Sequence, residues 1–202
     1  MALVSSGQPT KKPLLVGDFT YQDSLDITRA YFNSYQAVSQ MHEAMTSIWK
    51  TDKDSEKSKK EQRIEHWKSN PYFSNWLGRP NKIGLARKRV NQIYSKYNRR
   101  VILKITKEDK GRCKGWISAW TMPYGKVKIR LCDNFLRYRT HLHEKTLIHE
   151  MGHEAGMLFH RKIHGCWRAQ RAAGSTFNNI AKRNPENYAW LAMSYLGLEC
   201  AY

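Results

Sequence analysis

Thr146-Leu147-Ile148-His149-Glu150-Met151-Gly152-His153 is the stretch of this 202-residue chain on which its reading turns. Leu147 and Ile148 carry an apolar run into a segment of helix formers, so a helix is expected from about Thr140 to Met157. Residues four apart on a helix share one face, about one turn from each other, so the imidazoles of His149 and His153 can reach the same tetrahedral metal ion. Glu150, next to the first histidine, is placed to take the proton of a water that the metal activates. Zinc lowers the pKa of such a water toward roughly 7 and polarises a carbonyl, and a neighbouring carboxylate can carry the proton on to a leaving amine. Spacing and residue type thus point to zinc-dependent hydrolysis of a peptide bond. One Zn2+ per chain is expected, with His149 and His153 as ligands and Glu150 as general base. Gly152 leaves room for close approach to the helix.

The helix supplies two ligands, whereas a catalytic zinc site takes a third protein ligand and keeps one position open. No aspartate follows His153, which leaves His160, His164, Glu154 and Glu186 and, less naturally, Cys166 or Glu199. His160 is preferred because Gly156 offers a turn that can swing it back toward the metal; His164 and Glu186 stand behind it. His42, His66, His141 and His143 lack the four-residue spacing and are read as surface residues.

Upstream of the motif helix the period of the apolar residues changes. Ile27, Tyr31, Tyr35, Val38, Met45 and Ile48 recur at three- and four-residue spacing, predicting a helix over 23–50 with one buried face. The charged run over 51–62 has no apolar face and reads as a solvated loop or frayed helical extension. Asn70-Pro71 marks a turn, and Tyr72, Phe73, Trp76 and Leu77 form an apolar cluster closed by Gly78 and Pro80. A second helix is expected over 83–98. Val101, Leu103 and Ile105 then alternate with their neighbours as in a strand, and 116–120 and 126–131 are two further strand candidates around a Met122-Pro123-Tyr124-Gly125 turn. Beyond the motif helix, one helix is expected over 167–182 and a last one from Pro185 through Leu196, stopped at Gly197. The fold class is α+β, mainly helical, with a small, partly antiparallel sheet. Residues 1–17 read as a flexible leader, 18–75 as an N-terminal helical region and 76–202 as the core that carries the motif, with 18–202 forming one domain.

Composition narrows the setting. No stretch approaches the roughly 20 apolar residues of a membrane-spanning helix, and the mean hydropathy is −0.72. The first fifteen residues contain no apolar run of the kind a secretory signal needs. Four cysteines, Cys113, Cys132, Cys166 and Cys200, are enough for two disulfides, with no pairing fixed by one sequence. The 35 Lys and Arg against 17 Asp and Glu give a net charge of +18, which favours polyanions such as nucleic acid, an anionic envelope or an acidic protein surface. These charges are spread along the chain, without zinc-finger or basic-zipper spacing.

A cysteine opens an aromatic strand (Cys113-Lys-Gly-Trp116-Ile-Ser-Ala) and a second strand ends in Ile129-Arg-Leu-Cys132-Asp-Asn-Phe135. The motif helix follows, and then Asn184-Pro-Glu-Asn187-Tyr188-Ala-Trp190-Leu-Ala192. In this ordered set the chain, from about Trp76 to Leu196, resembles the aspzincin metallopeptidases, the group of deuterolysin and the fungal peptidyl-Lys metalloendopeptidases. The resemblance implies a zincin-like fold, His149 and His153 as zinc ligands, Glu150 as base and a Cys113–Cys132 disulfide. The chain departs from the family between motif and closing helix. There the family has a Gly-Thr segment with a ligand aspartate, followed by a Tyr-Gly whose tyrosine assists the oxyanion. Here the segment is Phe159-His160-Arg161-Lys162-Ile163-His164-Gly165-Cys166. His164-Gly165 takes the Tyr-Gly place, and His160 replaces the aspartate with a one-residue shift. This implies His160 as third ligand and His164 as a hydrogen-bond donor to the oxyanion, with the reverse assignment open. Without the aspartate no acidic lysine-binding site can be located, so the family's lysine preference is not carried over.

The reading is therefore a zinc endopeptidase acting on protein or peptide. It is expected to be secreted or delivered to an extracytoplasmic compartment, in the manner of a toxin or effector, near an anionic envelope or a carrier protein. The competing reading is a basic module binding nucleic acid or another polyanion, with a structural or vestigial metal site.

Overall fold

A computed structural model describes residues 11–98, 104–108, 112–113, 117–122, 128–137, 142–158, 164–175, 180–198 and 200. The strands are β1 (Leu14–Val16), β2 (Lys104–Lys107), β3 (Ala119–Thr121) and β4 (Lys128–Leu131). The helices are α1 (Tyr21–Ser47), α2 (Lys59–Ser69), α3 (Pro71–Leu77), α4 (Ile83–Tyr97), α5 (Asp133–Arg137), α6 (Leu142–Glu154), α7 (Cys166–Gly174) and α8 (Pro185–Tyr195). The class is α+β, mainly helical, as expected.

The N-terminal helices start where their caps dictate. Thr20 and Asp23 form a reciprocal capping box at α1, and Ser58 and Glu61 form another at α2. The second box lies inside the charged run, read as a solvated loop or frayed helical extension, so that run ends in the first turn of a helix entered at Lys59; Gln62 and Trp67 are its buried residues. Asn70 caps α3, with Pro71 at the first helical position, where a missing N–H costs nothing. The apolar cluster of the sequence is thus a short helix. The helix expected over 167–182 is interrupted: α7 ends at Gly174, Ser175 is extended, and Ala181–Arg183 is a separate 3-10 turn. Glycine and serine are weak helix formers, and the apolar pattern alone did not register the break.

The sheet has the order β1-β2-β4-β3. β1 and β4 both run parallel to β2, with Leu15 opposite Ile105 and Ile105 opposite Ile129. β3 runs antiparallel to β4, Trp120 facing Arg130, and forms one edge. β1 lies within the segment read as a leader. Val101 and Leu103 fall outside the described residues, as does most of the turn over 122–125. Disulfides join Cys113 to Cys132 and Cys166 to Cys200.

α6 packs against α8, α1 and α4 and faces β3. One continuous apolar cluster runs from Ile27 in α1 through Trp67, Phe73 and Val90 to Leu147, Tyr188 and Met193. Asn187 fastens α8 by donating from Nδ2 to Trp76 O and Ala169 O, both at 2.7 Å. Trp76 Nε1 donates to Ser194 Oγ at 2.8 Å. α8 is therefore clamped between α3 and α6, and its first turn is held at the motif helix.

Candidate metal centre and cleft

α6 is an interior helix. Leu147, Ile148 and Met151 sit in the core, and His149, Glu150, His153 and Glu154 are buried as well. A cleft of about 1130 Å³ opens over the motif, between α6, the edge strand β3 and the start of α7. Trp120, Thr121, His149, Glu150, His153 and His164 are among its walls.

His149 Nδ1 lies 2.7 Å from Glu186 Oε2, and His153 Nδ1 lies 2.6 Å from Met157 O. A carbonyl and an ionised carboxylate can only accept, so each Nδ1 carries the proton and donates it. A neutral ring then keeps its lone pair on Nε2. The two Nε2 atoms are 3.2 Å apart. At that distance the two atoms can share one proton or, with both rings neutral, one cation. Orientation of a ligating histidine through its other nitrogen is the usual support of a metal site.

Glu186 accounts for the geometry on one side. It is fully buried and accepts from Lys145 Nζ at 2.9 and 3.1 Å, from the backbone N–H of Gly165 at 2.9 Å, from Trp190 Nε1 at 3.1 Å and from His149. Burial alone would raise its pKa, but the Lys145 charge and the bond from His149 outweigh it and hold the carboxyl well below the usual range. His149, His164 and Glu186 offer ligand-capable atoms within 4.8 Å of one another. Glu186, however, has its lone pairs taken by these donors, and stands behind His149 as the group that aims it. Two of the other third-ligand candidates have partners of their own. Glu154 lies with Oε1 2.8 Å from Thr121 Oγ1 and Oε2 3.7 Å from Lys96 Nζ, and Cys166 is in a disulfide. His160 and Glu199 lie outside the described residues. His164 lines the cleft with its ring stacked 6.0 Å from that of His149. Burial above all lowers its pKa, favouring the neutral ring.

Glu150 lies on the cleft. Among the described residues its Oε2 has no hydrogen-bond partner, as is also true of Glu154 Oε2, which has Lys96 Nζ at 3.7 Å. Burial raises its pKa to about 7, against the opposing pull of His149, Lys145 and the Thr121 backbone N–H. A buried carboxylate with one oxygen unclaimed, on the cleft and beside two converging imidazoles, fits a zinc site that activates water.

Gly152 performs the role expected of it. A Cβ there would lie 2.6 Å from Pro185 Cβ and 2.9 Å from Met157 Cε. Its absence lets the first turn of α8, with Glu186, reach His149. His143, read as a surface residue, is buried, with its Nε2 2.6 Å from Phe135 O and its ring stacked on Phe135 at 4.3 Å. An aromatic residue two positions into α5 offered it an apolar seat that spacing could not reveal. His42 stacks on Tyr94 at 4.1 Å and is half-buried. Lys145 stands one turn before His149 on the same face, a signal that the i, i+4 rule could have exposed. Nothing local announced that Glu186 would partner the pair.

No family model and no curated protein matches the sequence. Among solved structures, the zinc peptidase from Grifola frondosa matches with a TM-score of 0.62 at 14% identity, over 88% of this chain and 98% of that one. At that identity the likeness establishes architecture: this chain has the fold of a zinc peptidase, related only distantly.

Proposed function

We propose that the chain is a zinc-dependent endopeptidase. The observation that carries this reading is the pair of Nε2 atoms 3.2 Å apart beside the unclaimed Glu150 Oε2 on the cleft. His149 and His153 would hold the ion, with His160 as third ligand and His164 as donor to the oxyanion. When bound, zinc supplies the Lewis acidity that makes water a nucleophile near neutral pH and polarises the scissile carbonyl. Glu150 takes the proton of the attacking water and gives it to the leaving amine. His164, beside His149, donates a hydrogen bond to the carbonyl oxygen as negative charge develops on it. Glu186 and Met157 O hold the two ligand rings in register. β3, an edge strand among the described residues, borders the cleft, so an extended peptide can pair there as an added strand. Two disulfides suit action in an oxidising, extracytoplasmic compartment.

Purified protein is expected to hold about one zinc per chain and to cleave unfolded casein. Glu150→Gln should keep the zinc and lose at least ~100-fold in kcat; cleavage at the wild-type rate would refute the mechanism. His160→Ala should weaken zinc binding, and His164→Ala should lower kcat at unchanged affinity. The opposite pattern would exchange the two roles.

A further inference from the structure

We infer that the cleft selects peptides with acidic side chains beside the scissile bond, recognised by Arg112 and Arg168; this rests on the peptidase reading above. Among the described residues, the charged ones lining the cleft are Arg112, Lys145 and Arg168 against Glu150 and Glu186. Glu186 is fully buried and committed to Lys145, His149, Gly165 and Trp190. Glu150 is the base. Among the described residues lining the cleft, no further carboxylate is present to receive a lysine or arginine of the substrate.

The two arginines are exposed at the cleft and held by covalent anchors. Arg112 precedes Cys113, tied to Cys132 at the end of β4, and its guanidinium lies 5.0 Å from the centre of the Trp120 ring. Arg130, paired with Glu108 Oε2 at 3.4 Å, packs over the same ring at 4.0 Å. Arg168 lies in the first turn of α7, two residues beyond Cys166, which is tied to Cys200. It lines the same cleft as His149, His153 and His164. A guanidinium presents a planar fork that suits a carboxylate, and anchoring its backbone reduces the ordering needed on binding. Ile117, Trp120 and Leu158 supply apolar wall between these positive groups. An acidic side chain would meet one arginine while the backbone lies along β3, and a lysine in its place would meet a guanidinium of like charge.

The test uses matched quenched peptides sharing one neutral frame, with aspartate, alanine or lysine flanking the cleaved bond. The wild-type protein reports kcat/KM, and zinc-loaded Glu150→Gln reports binding without turnover. The aspartate peptide should exceed the lysine peptide by about tenfold or more in both readouts, and Arg112→Gln or Arg168→Gln should remove most of that ratio. The double change Lys53→Gln, Lys59→Gln, on the exposed segment before and at the start of α2, should leave the ratio intact. A lysine or neutral preference would overturn the inference while cleavage upheld the peptidase reading. So would a preference lost equally in the Lys53/Lys59 variant, which would reduce it to the general field of the chain. An oligonucleotide of matched charge that displaces the aspartate peptide and binds more tightly would also overturn it, in favour of a polyanion site. Arginine-dependent binding of the aspartate peptide without cleavage of any peptide would uphold the recognition and sink the peptidase reading.

Discussion

Replacing Gly152 with alanine should push apart the two helices that make the metal centre. The added Cβ would stand 2.6 Å from Pro185 Cβ, 2.9 Å from Met157 Cε and 3.2 Å from Pro185 Cα. Carbon atoms rest at about 3.5–4.0 Å, so roughly 1 Å must be found. The end of Met157 can swing aside, but Pro185 is a rigid ring at the first position of α8 and carries the helix with it. Overpacking of this kind costs about 1–3 kcal/mol, and alanine returns up to ~1 kcal/mol of helix propensity. The net loss is roughly 1–2 kcal/mol, which for a chain of this size lowers Tm by about 2–8 °C. Because Glu186 follows Pro185, its 2.7 Å bond to His149 should lengthen, and zinc affinity should fall by about tenfold. Gly84→Ala is the control: it also sits in a helix, and its Cβ would meet nothing within 4 Å, so it should be neutral or stabilising by up to ~1 kcal/mol. Thermal melts and competitive zinc titration of both variants decide the matter. A Gly152→Ala protein as stable as Gly84→Ala, with wild-type zinc affinity, would refute the close packing of α8 on the motif helix.

Two further outcomes follow from the buried carboxyls. Glu186→Gln keeps the shape but exchanges an acceptor of five contacts for an amide; zinc affinity should drop about 10–100-fold, and the Nδ1 proton signal of His149 should shift or exchange faster in NMR spectra. An unchanged Kd would show that the ring needs no such support. In zinc-free protein, Glu150 has a folded pKa of about 7 against an ordinary 4.5, so the native state binds the extra proton. Its contribution is fully present below pH 4.5 and declines as pH rises through 7, at about 1.4 kcal/mol per unit, a total near 3 kcal/mol. Zinc-free Glu150→Gln should therefore equal the wild type near pH 4.5 and be more stable at pH 8. Melts of the two proteins that differ equally at both pH values would contradict the assigned burial.

What the sequence by itself determined was whatever depends on short range. The His149, Glu150, His153 spacing implied a shared helix face, because a turn of helix repeats every 3.6 residues. Periodicity outlined α1, α4 and α8 and the strands around Ile105 and Ile129, and Gly152 signalled a close approach without naming what approaches. Capping chemistry at Ser58 was also in the sequence, though charge density concealed it. The tertiary structure alone decided the relations between distant segments. Glu186 lies 37 positions from His149, and only the packing of α8 on α6 brings its carboxylate to 2.7 Å from that ring. Burial decided the rest: folding removes the solvent around Glu150 and raises its pKa to about 7, a property of the surroundings that no residue type or spacing encodes.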